Sequence, residues 1–427
     1  MRAGYVRVTL VTLLDRLPAL QSREFRDLLA GSLVSNIGSQ IQAWAIGWHI
    51  YELTNSSLAV GLLGLVRVVP LLLFSLIGGV VADHADRRKV MLWSQIGMLF
   101  VALLLATTTA LGVVSVGVIY LAAALYAIAR SFDAPSRQSM VVNLVSAEHY
   151  PNAATLNGIV WRVSDVLGPL FTGLIIAHQG IPGLGGLGTC YLLNAVTFIA
   201  VLISIYRLTP RPPSPEVVAA SPKSVKDLLR VIGDGIRFVH GTPVVRQSMF
   251  IDFWATFFSA ADALLPAFAK DIFQMGSEGY GILAGSISVG ALLAAIYLSL
   301  RPITENQGKV VVRMVGFYGI CTFGFALSPH PILAVIFLAG TGAADMISTV
   351  MRQTIRQLAT PNEMRGRMTA YSSLYFMSGP QLGDAESGVL ARLTGERAAV
   401  AIGGTACLGV SLLWSRAKEL LNYRQQH

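Results

Sequence analysis

The chain has 427 residues, 54% hydrophobic and only 13% charged, about half the charge of an ordinary soluble domain. A formal net charge of +9 could point to nucleic acid, but the basic residues sit in short stretches between apolar runs rather than on one polar face, which excludes that partner. The three cysteines, Cys190, Cys321 and Cys407, lie far apart, form no metal-ligand spacing and read as small core residues.

In chain order, residues 1–27 carry five arginines and an apolar run broken by Asp15, Arg16 and Pro18, which predicts a cytoplasmic amphipathic lead-in rather than a cleavable signal peptide. Crossing roughly 30 Å of hydrocarbon takes about 20 apolar residues. Such stretches recur near 28–52, 57–81, 90–110, 114–136, 153–177 and 187–206, predicting a six-helix bundle over 28–206. A polar linker follows over 207–243, with five prolines between Pro210 and Pro222 and then an amphipathic segment, Val225 to Val239, that predicts a surface helix. Six more stretches, near 244–268, 279–300, 309–327, 331–353, 367–391 and 396–414, predict a second bundle over 244–414, with a cytoplasmic tail at 415–427. The expected fold is therefore an all-α membrane protein of twelve transmembrane helices.

Threaded this way with the N-terminus inside, the outer loops hold only Lys270, Arg392 and Arg397, while the remaining basic loop residues fall on the inner side. Such a bias fixes orientation, so both termini are expected in the cytoplasm. The halves also repeat one another. Arg137 and Gln138 recur as Arg352 and Gln353, Glu148 as Glu363, and Gly168 and Pro169 as Gly379 and Pro380. Two parallel six-helix repeats place a substrate site at the midplane between them.

Between the second and third stretches lies a charged loop with Gly79, Asp83, Asp86, Arg87 and Arg88. Its spacing resembles the loop between helices 2 and 3 of the major facilitator superfamily. The run from Tyr51 to Ser57, with Val69, Pro70, Gly78, Gly79, Ala82 and Asp83, resembles the branch of bacterial efflux permeases that includes the enterobactin exporter. The resemblance covers the chain from Phe25 onwards. It implies a cytoplasmic gate in which Asp83 holds the two halves together, with Gly79, Asp86, Arg87, Arg88, Arg137 and Arg352 as its other candidates. His84 and Asp86 depart from the general superfamily loop pattern. Gly168 and Pro169 partly match the helix-5 motif of proton-linked antiporters; helix kinking or close packing would explain them, and Gly379 and Pro380, equally well.

Charges within the apolar runs carry the chemistry, because a charge facing lipid at the bilayer centre costs at least about 2.5 kcal/mol. Asp345, Asp262, Asp165, Asp384 and Asp252 are the candidates for proton coupling. Repeat alignment sets Arg130 against Asp345 and predicts a pair across the pseudo-two-fold axis. Arg162 and Asp165, at i and i+3, read either as a structural ion pair or as part of the site. Asn36, Gln40 and Trp44 form a stripe at four-residue steps that would line a cavity or bind helices together. With Arg67, Arg130, Arg162, Gln381 and Glu386 they complete the substrate-cavity candidates. A basic wall and an acidic wall would suit a polar, catechol-bearing or zwitterionic molecule, and salt bridges latching the halves would explain the same charges equally well.

No phosphate-binding glycine loop and no convergent catalytic group is legible, so neither a cofactor nor an enzyme activity is expected. The expected function is proton-coupled export of a siderophore or amphipathic drug-like molecule by alternating access across the bacterial inner membrane, by a single chain acting as a monomer. A symporter, a sensor and a secretion accessory remain as alternatives.

Overall fold

The computed structural model describes residues 17–209, 225–259, 261–421 and 423. The lead-in and the proline-rich start of the linker fall largely outside this range. Among the described residues the fold is all-helical. The first half contains α1 (Arg23–Thr54), α2 (Ser57–His84), α3 (Arg87–Ala110), α4 (Val116–Leu144), α5 (Tyr150–Ala177) and α6 (Gly185–Tyr206). A surface helix, α7 (Val225–Gly241), precedes the second half. That half contains α8 (Pro243–Phe258), α9 (Gly276–Leu300), α10 (Gln307–Leu327), α11 (Pro331–Leu358), α12 (Asn362–Thr394) and α13 (Glu396–Trp414).

Among the described residues, ten helical segments are long and apolar enough to cross a membrane. The two further long helices, α1 with 32 residues and α12 with 33, complete the expected twelve. Their polar residues dilute the apolar signal. Asn36 and Gln40 of α1, and Gln381 and Asp384 of α12, face an internal cavity instead of lipid. Bulky apolar side chains such as Trp93, Phe100, Leu300 and Leu412 stand exposed on the outside of the bundles, where lipid would cover them.

Local chemistry sets the helix ends. Ser22 accepts a hydrogen bond from the Phe25 amide at the start of α1, and Asn55, at φ 47°, closes that helix in the left-handed conformation. Ser56, Asp86 and Ser115 cap α2, α3 and α4 in the same way as Ser22. The stretch predicted to run as one helix over 244–268 is broken. After Phe258 it passes through a 3-10 turn, Asp262–Leu264, and a π turn, Phe268–Ile272. Pro266 supplies the reason, since its ring lacks an N–H and clashes with the carbonyl four residues back, that of Asp262. Unwound backbone at membrane depth is tolerated where it borders a cavity, and Asp262 is exposed there.

The two halves pack by one plan. In the first, α1 lies on α5 and α6, α3 on α4 and α6, and α2 on α4; in the second, α8 lies on α12 and α13, α10 on α11 and α13, and α9 on α11. The halves meet where α2 crosses α12 and α5 crosses α9. Glycine makes both crossings possible. A Cβ on Gly61 would lie 2.4 Å from the Asp384 carbonyl oxygen, and one on Gly173 would lie 2.6 Å from that of Ser277.

Candidate functional site

The end of the molecule that carries Arg87, Arg88 and Lys89 is called here the basic end, and the other the far end. Hydrogen bonds between the halves occur toward the far end. Tyr51 donates to Asp271, the Lys270 ammonium donates to Asn55 at 3.0 Å, and Ser57 donates to Glu396 at 3.0 Å. Two turns deeper along α1, the Tyr280 hydroxyl donates to the Trp44 carbonyl at 3.1 Å. Asp271 and Glu396 were not singled out from sequence, and Tyr51 and Ser57 only as the ends of the run that carries the family resemblance, because each is an ordinary polar residue near a helix end.

Below this seam lie three connected chambers between and within the halves. A central lobe of 380 Å³ is bordered by Asn36, Gln40, Arg67, Tyr126, Arg130, Trp161, Phe376 and Gln381. A second lobe of 440 Å³ shares Gln40, Arg67, Phe376 and Gln381 and adds Trp44, Arg162, Asp165, Asp262, Tyr280, Asp345 and Asp384. A third, of 350 Å³, shares Asn36, Tyr126, Arg130 and Trp161 with the first and extends to Ser32, Arg137 and Tyr150 toward the basic end. The α1 stripe of Asn36, Gln40 and Trp44 thus runs along the wall of all three.

Within these walls the charges are grouped. Gln40 donates to Asp165, whose carboxylate lies 3.9 Å from Arg162. Arg162 also crosses to the second half, where its guanidinium meets the Met346 sulfur at 2.9 Å. Arg130 does not pair with Asp345. Its guanidinium lies over the Trp161 ring, 4.9 Å from the centroid, and Asp345 meets Arg352 at 3.5 Å and Thr349 at 3.3 Å on its own helix. Residues seven apart share a helix face two turns along, so the local partner displaces the one expected across the axis.

Asp252 lies away from the cavity. It is sealed inside the second half, 2.9 Å from Arg352 and 3.1 Å from Arg356, with all three side chains at most 6% exposed. The repeat-related Arg137 makes the equivalent arrangement in the first half, 3.0 Å from Asp133 and 2.6 Å from Ser32. Arg137 and Arg352, expected at a gate between the halves, are therefore each tied within their own bundle. Arg356 and Asp133 were missed from sequence, although each lies four residues from a basic residue already noted.

Of the charged loop, Asp86 caps α3 by accepting from the Arg88 amide at 3.0 Å. Arg88 donates to the Ile205 carbonyl at 3.1 Å and to that of Tyr206, so it anchors α3 to the end of α6 within one half rather than bridging the two. Arg87 is buried, Gly79 faces open space, and the side chain of Asp83 lies outside the described part of the structure. Gly168 packs α5 onto α1, where a Cβ would stand 2.3 Å from that of Gln40. Its neighbour Pro169 and the repeat-related Pro380 both lie inside uninterrupted helices. Gly379 sits against Thr256. Glu386, expected in the cavity, borders none of the three chambers; two residues beyond Asp384, it is turned about 200° around α12. Among the described residues no group of acidic, His or Cys side chains could hold a metal ion.

Two pseudo-symmetric six-helix bundles around a polar central cavity define a membrane transporter of the major facilitator type. The model of the transmembrane secretion effector family, within that superfamily, matches residues 16–423, and the chain belongs to it. The enterobactin exporter EntS of Shigella boydii serotype 18 is 29% identical over 409 residues, covering 94% of this chain and 93% of the exporter. Among solved structures, a bacterial homologue of the human lysosomal transporter Spinster, inward-facing and occupied, superposes with a TM-score of 0.70 at 14% identity, covering 94% of this chain and 96% of the homologue. A bacterial homologue of the iron transporter ferroportin, inward-facing, superposes with a TM-score of 0.67 at 19% identity, covering 92% and 98%. At these identities the structural likeness concerns the fold alone.

Proposed function

We propose that the chain is a proton-coupled exporter of a small molecule, of the siderophore or amphipathic drug-like kind, in a bacterial inner membrane. The observation that carries the coupling is Asp345. Its side chain is 48% exposed to the cavity, while its partner Arg352 is 2% exposed and also holds Asp252. A carboxylate that can pair with a buried arginine or face water changes its proton affinity between the two states. Asp165, Asp262 and Asp384 border the same lobe and form the rest of the coupling set.

The excess of Lys and Arg at the basic end orients that end to the cytoplasm. The far-end seam then closes the outer side, and the chambers leading to the basic end make this an inward-facing state, ready to load from the cytoplasm. The siderophore class follows from the similarity to the enterobactin exporter. Two repeats within one chain make a complete translocation unit, so a monomer suffices.

The test uses purified protein in liposomes with a pH-sensitive dye inside, challenged with catecholate and hydroxamate siderophores and with lipophilic cations. Compound-dependent proton movement is expected. Folded protein that moves protons with none of them would contradict the reading.

A further inference from the structure

We propose that the cavity binds a charge-separated, zwitterionic ligand lengthwise, its anionic group at Arg130 in the central lobe and its cationic group at Asp262 and Asp384 in the second. This rests on the reading of the chain as a small-molecule transporter and adds the class of cargo.

Of two lobes that share one wall, only the second contains carboxylates, alongside Arg67 and Arg162. Among the described residues, the central lobe contains Arg67 and Arg130 and no acidic side chain. Arg130 has no carboxylate partner there and rests instead on the Trp161 ring, with Tyr126 and Phe376 in the same lobe. That leaves a guanidinium edge and aromatic faces for an anionic, flat group.

The second lobe contains four carboxylates, but two are already engaged. Asp165 takes Gln40 and lies near Arg162, and Asp345 takes Arg352. Neither Asp262 nor Asp384 has a cation within 4 Å among the described residues: Asp384 accepts from the Ala263 amide with Arg67 further off, and Asp262 is exposed to the cavity at the break in its helix. Two neighbouring carboxylates at membrane depth with no cation in contact are costly, and a ligand cation between them would offset that cost. Gln381 borders both lobes, and its Oε1 is buried without a partner, an unused acceptor at the junction. At 380 and 440 Å³ each lobe is within the usual range of ligand sites, so a drug-sized molecule can occupy both.

Equilibrium binding by fluorescence polarisation, with the whole chain in lipid nanodiscs, tests this using three dyes of one shape. Rhodamine B carries a carboxylate and a delocalised cation, its ethyl ester the cation alone, and fluorescein only negative charge. Wild type should bind rhodamine B about tenfold more tightly than either of the others. Arg130→Gln should bring rhodamine B down to the level of its ester and leave the ester within about twofold, and Arg130→Lys should restore most of the difference. Asp384→Asn should weaken rhodamine B and the ester while sparing fluorescein.

Equal binding of rhodamine B and its ester by wild type would overturn the proposal. So would an Arg130→Gln variant that weakens all three dyes alike, or no binding of any dye. Because no gradient is applied, a failure of proton coupling leaves these affinities untouched, and the two readings fail separately.

Discussion

Arg352 stands 2.9 Å from Asp252 and 3.5 Å from Asp345, so one buried cation is shared between a carboxylate sealed in the second bundle and one open to the cavity. The two acids are thereby given different work. Asp252 pairs with Arg352 and Arg356 inside the bundle, while Asp345 is open to the cavity.

Removing Asp252 leaves Arg356 buried without its acid and Arg352 with only the cavity-facing Asp345. Asp252→Asn should therefore destabilise the protein by about 3–5 kcal/mol, the usual cost of stranding a buried charge. A thermal-shift series in detergent, with Asp345→Asn as the comparison, checks this. The Asp345 variant should melt close to wild type, because Arg352 keeps Asp252; equal losses would remove the distinction.

The crossing of α2 on α12 has no room for a side chain at Gly61, where a Cβ would meet the Asp384 carbonyl oxygen at 2.4 Å. Gly61→Val should force the far end apart and raise the labelling rate of a cysteine placed at Ser57 by about tenfold, in the spirit of a two-state equilibrium moved by ~1.4 kcal/mol. The same substitution at Gly79, which faces open space, should leave labelling unchanged.

The hydroxyls of Tyr51 and Ser57 each donate to an acid of the opposite half, Asp271 and Glu396. A double variant, Tyr51→Phe with Ser57→Ala, loses two cross-half bonds of about 0.5–1.5 kcal/mol each. Pulsed electron-electron distances between spin labels at the far end should show the separated population growing. An unchanged distance distribution would mean that the glycine seams, with the Lys270–Asn55 and Tyr280–Trp44 bonds, hold that end shut.

Much of this architecture was legible before the structure, and the gaps have physical causes. Apolar length and the distribution of Lys and Arg were enough for twelve crossings, and the repeated Arg137 and Arg352 marked the two-fold plan. Polar residues on α1 and α12 weakened the membrane signal in the two helices that border the cavity. The break at Asp262 was written in Pro266, but proline in a membrane helix is too common to demand one; Pro169 and Pro380 sit in unbroken helices. For the site, sequence found Asp345 and Arg130 and joined them wrongly. Repeat alignment relates positions by symmetry, whereas an ion pair forms by distance, and Arg352 lies two turns along the same helix. The far-end seam was not legible because hydroxyl-to-carboxylate bonds between distant segments leave no local pattern.

The central claim is that Asp345 carries the coupled proton, and it is tested most directly by separating exchange from drive. In liposomes, Asp345→Asn should still exchange labelled substrate for unlabelled substrate across the membrane at a rate near that of wild type, because the cavity and both bundles remain. The same variant should no longer accumulate substrate when a pH gradient is imposed. Accumulation driven by the gradient at the wild-type level in Asp345→Asn would contradict the account and move the coupling to Asp262, Asp165 or Asp384.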